Sequence, residues 1–246
     1  QRYIIMDDVR VMEVNRQLAI IEITGPQAKS FMTLLCGEQC KEFRGNEIRF
    51  LTLEDFSFNV LSNSNFPETE SFYIVAHQSY AVKLIQYAQQ NKGIFDFGLV
   101  GEDAYEIYRI EKGILTEKEL NDQFNPHEAK LLDEVSFTKG CYIGQEVIAR
   151  LATYDKVQKY LVGFLFSSSP SSDIEFTILD DENKEIGTVN SSCFSISMKK
   201  TIGLGYLKKD FITENKQLKA VGKNSKEPAM QGMEIFVTVH SLPFRD

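Results

Sequence analysis

Two places in the chain combine residue types that do chemistry. The first is the run from Lys139 to Glu146, KGCYIGQE. Gly140 and Gly144 flank Cys141, Tyr142 and Ile143, and glycine adopts backbone angles that other residues resist. Such a segment turns tightly and presents one side chain at a surface. A helix opening at Gly144 would bury Val147, Ile148 and Leu151 and leave Cys141 near its N-terminus, next to Lys139. Both neighbours favour a thiolate. The competing reading is a small apolar cysteine packed in a turn.

The second place is the stretch from Gly101 to Lys112. Ala104, Ile107, Tyr108 and Glu111 recur at helical spacing, so a carboxylate closes an apolar stripe. A buried carboxylate needs a partner. A ligand rich in N–H donors is one candidate; Arg109, Lys112 or exposure to solvent are the others. Elsewhere the polar residues point to less. His127 is expected at the surface, and no Ser/His/Asp or Cys/His set can be assembled from spacing. Cys36 and Cys40 lack a second pair or a nearby histidine, so no metal site is expected, only two thiols near a helix end.

The surrounding chain must hold these groups in place. Hydrophobic residues make up 43% of the 246 and charged residues 25%, which is enough for a sizeable core. The net charge of −8 lies entirely in residues 1–154, while residues 155–246 are neutral. An acidic front half disfavours direct contact with nucleic acid. No run approaches the length of a membrane helix, no signal peptide is visible, and four scattered cysteines fit a reducing, cytoplasmic location.

The pattern changes near residue 155. Before it, strand-like runs (18–24, 48–61, 72–76) alternate with amphipathic helices. Pro26 opens one whose face is Ala28, Phe31, Met32 and Leu35. A second starts near Ser79 and ends by Gly93, and a third ends at Gly113. Asn125, Pro126 and Glu128 form a helix-start signature for a short helix ending before Val135. After residue 155, seven short runs read as strands: 159–166, 174–179, 185–190, 193–198, 202–207, 217–221 and 234–242. Gly203 and Gly205 are read as a bend. The expectation is an α+β region with covering helices (1–154) followed by a small antiparallel β-barrel (155–246).

Lys139 to Glu146 resembles the Lys-Gly-Cys-Tyr/Phe-x-Gly-Gln-Glu signature of the YgfZ family, folate-binding proteins of the glycine-cleavage T-protein (aminomethyltransferase) superfamily. The stretch from Gly98 to Gly113, the Pro126–Ala129 step and the runs Glu185–Val189 and Ile202–Gly205 are similar to that superfamily too. The resemblance implies a T-protein-like fold with a ferredoxin-like α+β region, and family residues upstream of Gln1, the T-protein catalytic aspartate among them. It implies tetrahydrofolate or a derivative as cofactor, with Glu111 at the pterin and Arg109, Phe66, Tyr142 and Gln145 also at the ligand. Phe66 stands in a loop where T-proteins carry Gly-Tyr-Thr-Gly, and there it can stack but not hydrogen-bond. Cys141 becomes a candidate reactive thiol, with Lys139, Gly140, Gly144 and Glu146 shaping its loop. Where T-proteins carry an acidic residue and a folate-gripping arginine, this chain has Cys141 and Gln145. The resemblance thus implies an accessory role in iron–sulfur cluster maintenance and linked tRNA modification, with iron–sulfur client or assembly proteins as partners. The alternatives are a diverged aminomethyltransferase, or an adaptor that keeps the fold and binds no folate.

Overall fold

The computed structural model describes residues 8–43, 47–63, 71–121, 124–154, 156–170, 174–223 and 232–245. It divides into two compact units, residues 1–99 and 100–246.

The first unit is a four-stranded antiparallel sheet of β1 (Leu18–Thr24), β2 (Ile48–Leu53), β3 (Phe56–Asn63) and β4 (Ser71–His77), in the order β1-β4-β3-β2. The expected run 48–61 is a hairpin, not one extended piece. Glu54 takes a left-handed φ of 48°, and the chain reverses there without the glycine that usually marks such a turn. Helix α1 (Ala28–Cys36) buries Ala28, Phe31, Met32 and Leu35, the face read from the sequence. It stops at Gly37 (φ 78°), whose N–H bonds to Thr33. Helix α2 (Ala81–Gln90) adds Leu84 and Ala88. Phe31 stacks on Phe97 at 4.4 Å, and Phe95 meets it edge-on. Fully burying side chains such as Met32 and Val60 contributes about 1.5–3 kcal/mol each. The other face of the sheet carries exposed Leu18, Ile20, Ile48 and Phe50.

In the second unit, helix α3 (Glu102–Lys112) has acidic residues in its first turn and Arg109 and Lys112 in its last, matching the helix dipole. Gly113 closes it in the left-handed region at φ 76°, and Ile114 N–H reaches back to Arg109 at 2.8 Å. The expected stripe is rotated, however. Arg109 and Ile110 are the buried residues, and Ala104 is exposed. Helix α4 (Gln145–Tyr154) starts where Gly144 predicts, but Val147 is 62% exposed rather than buried.

Six strands close a barrel in the order β10-β5-β8-β7-β6-β9: β5 (Lys159–Phe166), β6 (Glu175–Leu179), β7 (Glu185–Ser195), β8 (Lys200–Lys208), β9 (Gln217–Lys223) and β10 (Glu234–His240). The α+β unit and antiparallel barrel match the expected fold class. Two predicted strands merge into β7, which carries a bulge between Val189 and Ser191 that hides the continuity. Gly203 and Gly205 mark a close approach instead of a bend. A Cβ on Gly205 would collide with the carbonyl oxygen of Thr188. Its interior holds an apolar cluster that includes Phe164, Phe176, Ile178, Val189, Ala220 and Val237.

Candidate functional site

The bulge in β7 resets the alternation of the strand's second half. Ser191, Cys193 and Ser195 fall onto one face while Phe194 and Ile196 point to solvent. That face meets the end of α3. Ser195 Oγ donates to Glu111 Oε1 at 2.6 Å, and Ser197 Oγ donates to the same oxygen at 2.8 Å. Met198 N–H donates in turn to Ser195 Oγ at 3.0 Å, so the serine is itself held. Phe244 N–H fixes the Glu111 carbonyl at 2.8 Å. Glu111 is half-buried. Both hydroxyls land on Oε1, and Oε2 accepts no hydrogen bond from the described residues. The carboxylate is therefore oriented but retains acceptor capacity. Neither Arg109 nor Lys112 pairs with it. Beside it, burial first and then the charges of Glu111 and Glu106 push the Cys193 thiol up to about 12.

Arg109 behaves differently from its neighbour. It is 1% exposed, and its five N–H donors are all used inside the protein. Nε and Nη2 make a bidentate pair with Glu106, both at 2.5 Å. Nη1 reaches Ile114 O at 3.2 Å and Glu119 Oε2 at 3.3 Å, and Nη2 also donates to Ser191 Oγ at 2.8 Å. Glu119 is fully buried and accepts further from Thr116 N at 3.0 Å, Thr116 Oγ1 at 3.2 Å and Ser191 Oγ. Tyr206 Oη donates to the Glu119 carbonyl at 3.0 Å. The Arg109 pairing, opposed by burial, holds the Glu106 carboxyl below its ordinary value through the hydrogen bond first, while Arg109 itself is raised despite its desolvation. This is a bracket between helix and barrel with no donor left for a ligand.

The Lys139–Glu146 run has no regular structure before α4. Cys141 is exposed, which excludes the packed-cysteine reading. Gly144 takes φ 89°, and the Gln145 N–H closes a turn on Tyr142 O at 3.2 Å. Lys139 Nζ lies 4.8 Å over the Tyr142 ring. Tyr142 Oη is buried without a hydrogen-bond partner, the single such side-chain atom among the described residues. Behind the loop, Asn125 Oδ1 accepts from His127 and Glu128 N–H at 3.0 and 3.1 Å. The Glu128 carboxylate reaches back to Asn125 N–H at 3.2 Å. The capping box forms, but it opens one turn and not the expected helix, because Lys130 goes left-handed at φ 58°. His127 is 4% exposed, not on the surface. Its Nε2 donates to Ile148 O at 2.8 Å, which anchors α4.

Glu111 and Arg109 thus share a helix end, and Lys139, Tyr142 and Gln145 share a loop. No hydrogen bond, ion pair or ring contact joins the two groups among the described residues. Phe66 lies outside the described residues. Sequence reasoning missed Ser191, Ser195, Ser197, Glu106 and Glu119. The available signal was the period-two run Ser191, Cys193, Ser195, once β7 is read as one strand. Among the described residues no cluster of three His, Cys, Asp or Glu gathers as metal ligands do, and no helix is long and apolar enough to cross a membrane.

A four-stranded α+β unit, followed by a closed six-stranded antiparallel barrel that orients a carboxylate at a helix end, defines the class. Residues 1–139 match the family described as the GCVT N-terminal domain, and residues 159–246 match the glycine cleavage T-protein C-terminal barrel domain. The chain belongs to the glycine cleavage T-protein family. It is 28% identical over 82% of its length to a chloroplastic protein of Arabidopsis thaliana named "Putative transferase", covering 45% of that protein. It is 25% identical over 88% of its length to an aminomethyltransferase of Thermoanaerobacter, covering 59% of it. The chain therefore spans about half the length of these curated relatives. The glycine cleavage system aminomethyltransferase T of Bartonella henselae superposes with a TM-score of 0.66 over 92% of this chain and 60% of that one, at 20% identity.

Proposed function

We propose that the chain binds a reduced folate, tetrahydrofolate or a derivative, through Glu111. The observation that carries this reading is the carboxylate itself. Two serine hydroxyls orient Oε1, while Oε2 is left to accept from N–H and amino donors such as those of a pterin ring. The sequence resemblance also implies that Glu111 stands where T-proteins carry their pterin glutamate. Tyr142, with its unpartnered hydroxyl, and Gln145 are the further residues we assign to the ligand. Arg109 does not contribute directly, because its donors are used. The test is calorimetric titration of the 246-residue chain with 5-formyltetrahydrofolate. We expect saturable binding that Glu111→Gln weakens by about ten- to hundredfold, the value of one hydrogen bond to a charged group. No detectable heat from the unaltered chain, or equal affinity in the variant, overturns the reading.

Within that frame we favour an accessory role in iron–sulfur cluster maintenance and linked tRNA modification, in a reducing, cytoplasmic compartment. It is supported by the resemblance of the Lys139–Glu146 signature and by the exposure of Cys141, at a position where that resemblance implies an acidic residue in T-proteins. Iron–sulfur client or assembly proteins are the partners it requires. Loss of iron–sulfur-dependent tRNA modification in cells carrying only Cys141→Ser is the expected outcome, and full function would refute it. The names of the relatives favour a second reading, aminomethyl transfer to tetrahydrofolate. Formation of methylene-tetrahydrofolate from an aminomethylated carrier protein would establish that instead. An adaptor without folate would keep its cellular role after Glu111→Ala.

A further inference from the structure

On the outside of the barrel, the starts of β5 and β7 and the end of β8 frame a cleft of about 240 Å³. The residues lining it belong to neither the Glu111 site nor the Lys139–Glu146 loop. Strand register explains how it forms. Lys159 on β5 lies directly opposite Lys208 on β8, and Tyr206 lies opposite Thr188 on β7. Side chains alternate along a strand, so these four share the outward face while Leu207 joins the apolar cluster inside.

Aromatic rings wall one side. Phe124 lies flat on Tyr206, with ring centres 3.6 Å apart and planes 7° from parallel. Tyr206 Oη is tied to the Glu119 carbonyl at 3.0 Å, which fixes the stack. Lys159 Nζ sits beside both rings, 4.1 Å from the centre of Phe124 and 5.9 Å from that of Tyr206. Lys208 Nζ donates to the Glu185 carbonyl at 3.0 Å.

Charge and size then define the ligand. Like charges directly opposite on neighbouring strands repel, and two lysines stand so here with Glu185 as the one carboxylate in the lining. Burial first, then the charges of Glu119 and Glu128, raise the Tyr206 phenol, so it stays neutral and adds no negative charge. An ammonium has three donors, and Lys208 spends one on a described partner. An anion placed there relieves the repulsion and takes up spare donors. Phe124, Tyr206 and Ile186 supply apolar surface next to it. The volume equals that of about eight water molecules in the liquid, below the ~300 Å³ where ordinary ligand pockets begin. A folate is too large for it.

We propose that this cleft binds a small organic carboxylate, its charge between Lys159 and Lys208 and its apolar body against Phe124, Tyr206 and Ile186. Benzoate is the probe, with benzamide as its uncharged counterpart and inorganic phosphate as an anion without an apolar body. Each is added at constant ionic strength to the nitrogen-15-labelled 246-residue chain while amide chemical shifts are followed. Benzoate should saturate in the roughly millimolar range open to so small a ligand, moving the Ile186, Gly187, Thr188 and Tyr206 amides. Benzamide should bind at least about tenfold more weakly, and phosphate should give no saturable shift. Lys208→Met should weaken benzoate by about two- to fivefold, the scale of a partly exposed ion pair. Glu185→Gln, which removes the opposing charge, should tighten it. Amides far from the cleft report whether each variant is folded. Equal affinity for benzamide, or benzoate affinity unchanged in either variant, overturns the carboxylate assignment. Saturable phosphate binding without benzoate binding overturns the apolar half. Benzoate shifts confined to Glu111, Ser195 and their neighbours overturn the cleft as the site.

Discussion

Replacing Arg109 by methionine is the sharpest test of the division of labour at the end of α3. The substitution keeps most of the side-chain volume and removes all five donors. Glu106 is about one-third exposed, so it turns to solvent and to Lys118, 3.5 Å away, and its share of the loss is at most about 1 kcal/mol. Glu119 has no such escape. It is fully buried, keeps Thr116 and Ser191, and loses its only countercharge among the described residues. Stranding one partner of a buried pair costs about 3–5 kcal/mol. For a unit of this size that lowers the melting temperature by roughly 6–20 °C. Urea titration read by hydrogen exchange in residues 100–246 measures it without assuming that the two units unfold together. Glu119→Gln in the same chain should recover at least about 1 kcal/mol, since the stranded charge is the source of the cost. A loss below about 1 kcal/mol would refute the bracket. So would intact stability with folate affinity reduced tenfold, because that outcome would make Arg109 a ligand-binding residue.

The depressed Glu106 carboxyl gives a pH signature. The unfolded state takes up that proton near pH 4.3 while the folded state resists it, so this contribution is full above about pH 5 and is lost as pH falls through the folded value. Acid titration of Glu106→Gln should show a shallower fall than the unaltered chain, and identical slopes would contradict the assignment. Under iodoacetamide at neutral pH, Cys141 should label faster than Cys36, Cys40 or Cys193, because it alone is exposed and Cys193 stays protonated to about pH 12; equal rates read by peptide mass would return it to a packed role. Gly205→Ala forces a Cβ into the Thr188 carbonyl and should destabilise the barrel by about 1–3 kcal/mol or more, with unchanged urea midpoint refuting the close approach.

What was legible in the sequence was what short-range physics decides. The α1 face, the Gly113 stop and the barrel strands follow from periodicity and from residues that permit or forbid particular backbone angles. The capping residues at Asn125 were also read correctly, yet they opened one turn. Their hydrogen bonds close within four residues and are indifferent to whether a helix continues, so the signal could not carry that information. The bulge after Val189 broke a period-two pattern and split β7 in two. With it went the shared face of Ser191, Cys193 and Ser195, whose partners on α3 lie far away in sequence.

The same distance explains why Arg109 and Glu111 looked alike as candidate ligand residues. Two residues apart on one helix, an arginine and a glutamate, they are separated by what β7 and the Thr116–Glu119 turn offer each of them. Counting donors separates the two. Arg109 has five and uses five, so a ligand would have to break an existing bond to engage it. Glu111 has two oxygens and, among the described residues, uses one, so a ligand there adds bonds without removing any of those. A group held rigidly with spare capacity is what binding requires. Ser195, Ser197 and the Phe244 N–H supply the rigidity, and the unfinished carboxylate supplies the capacity.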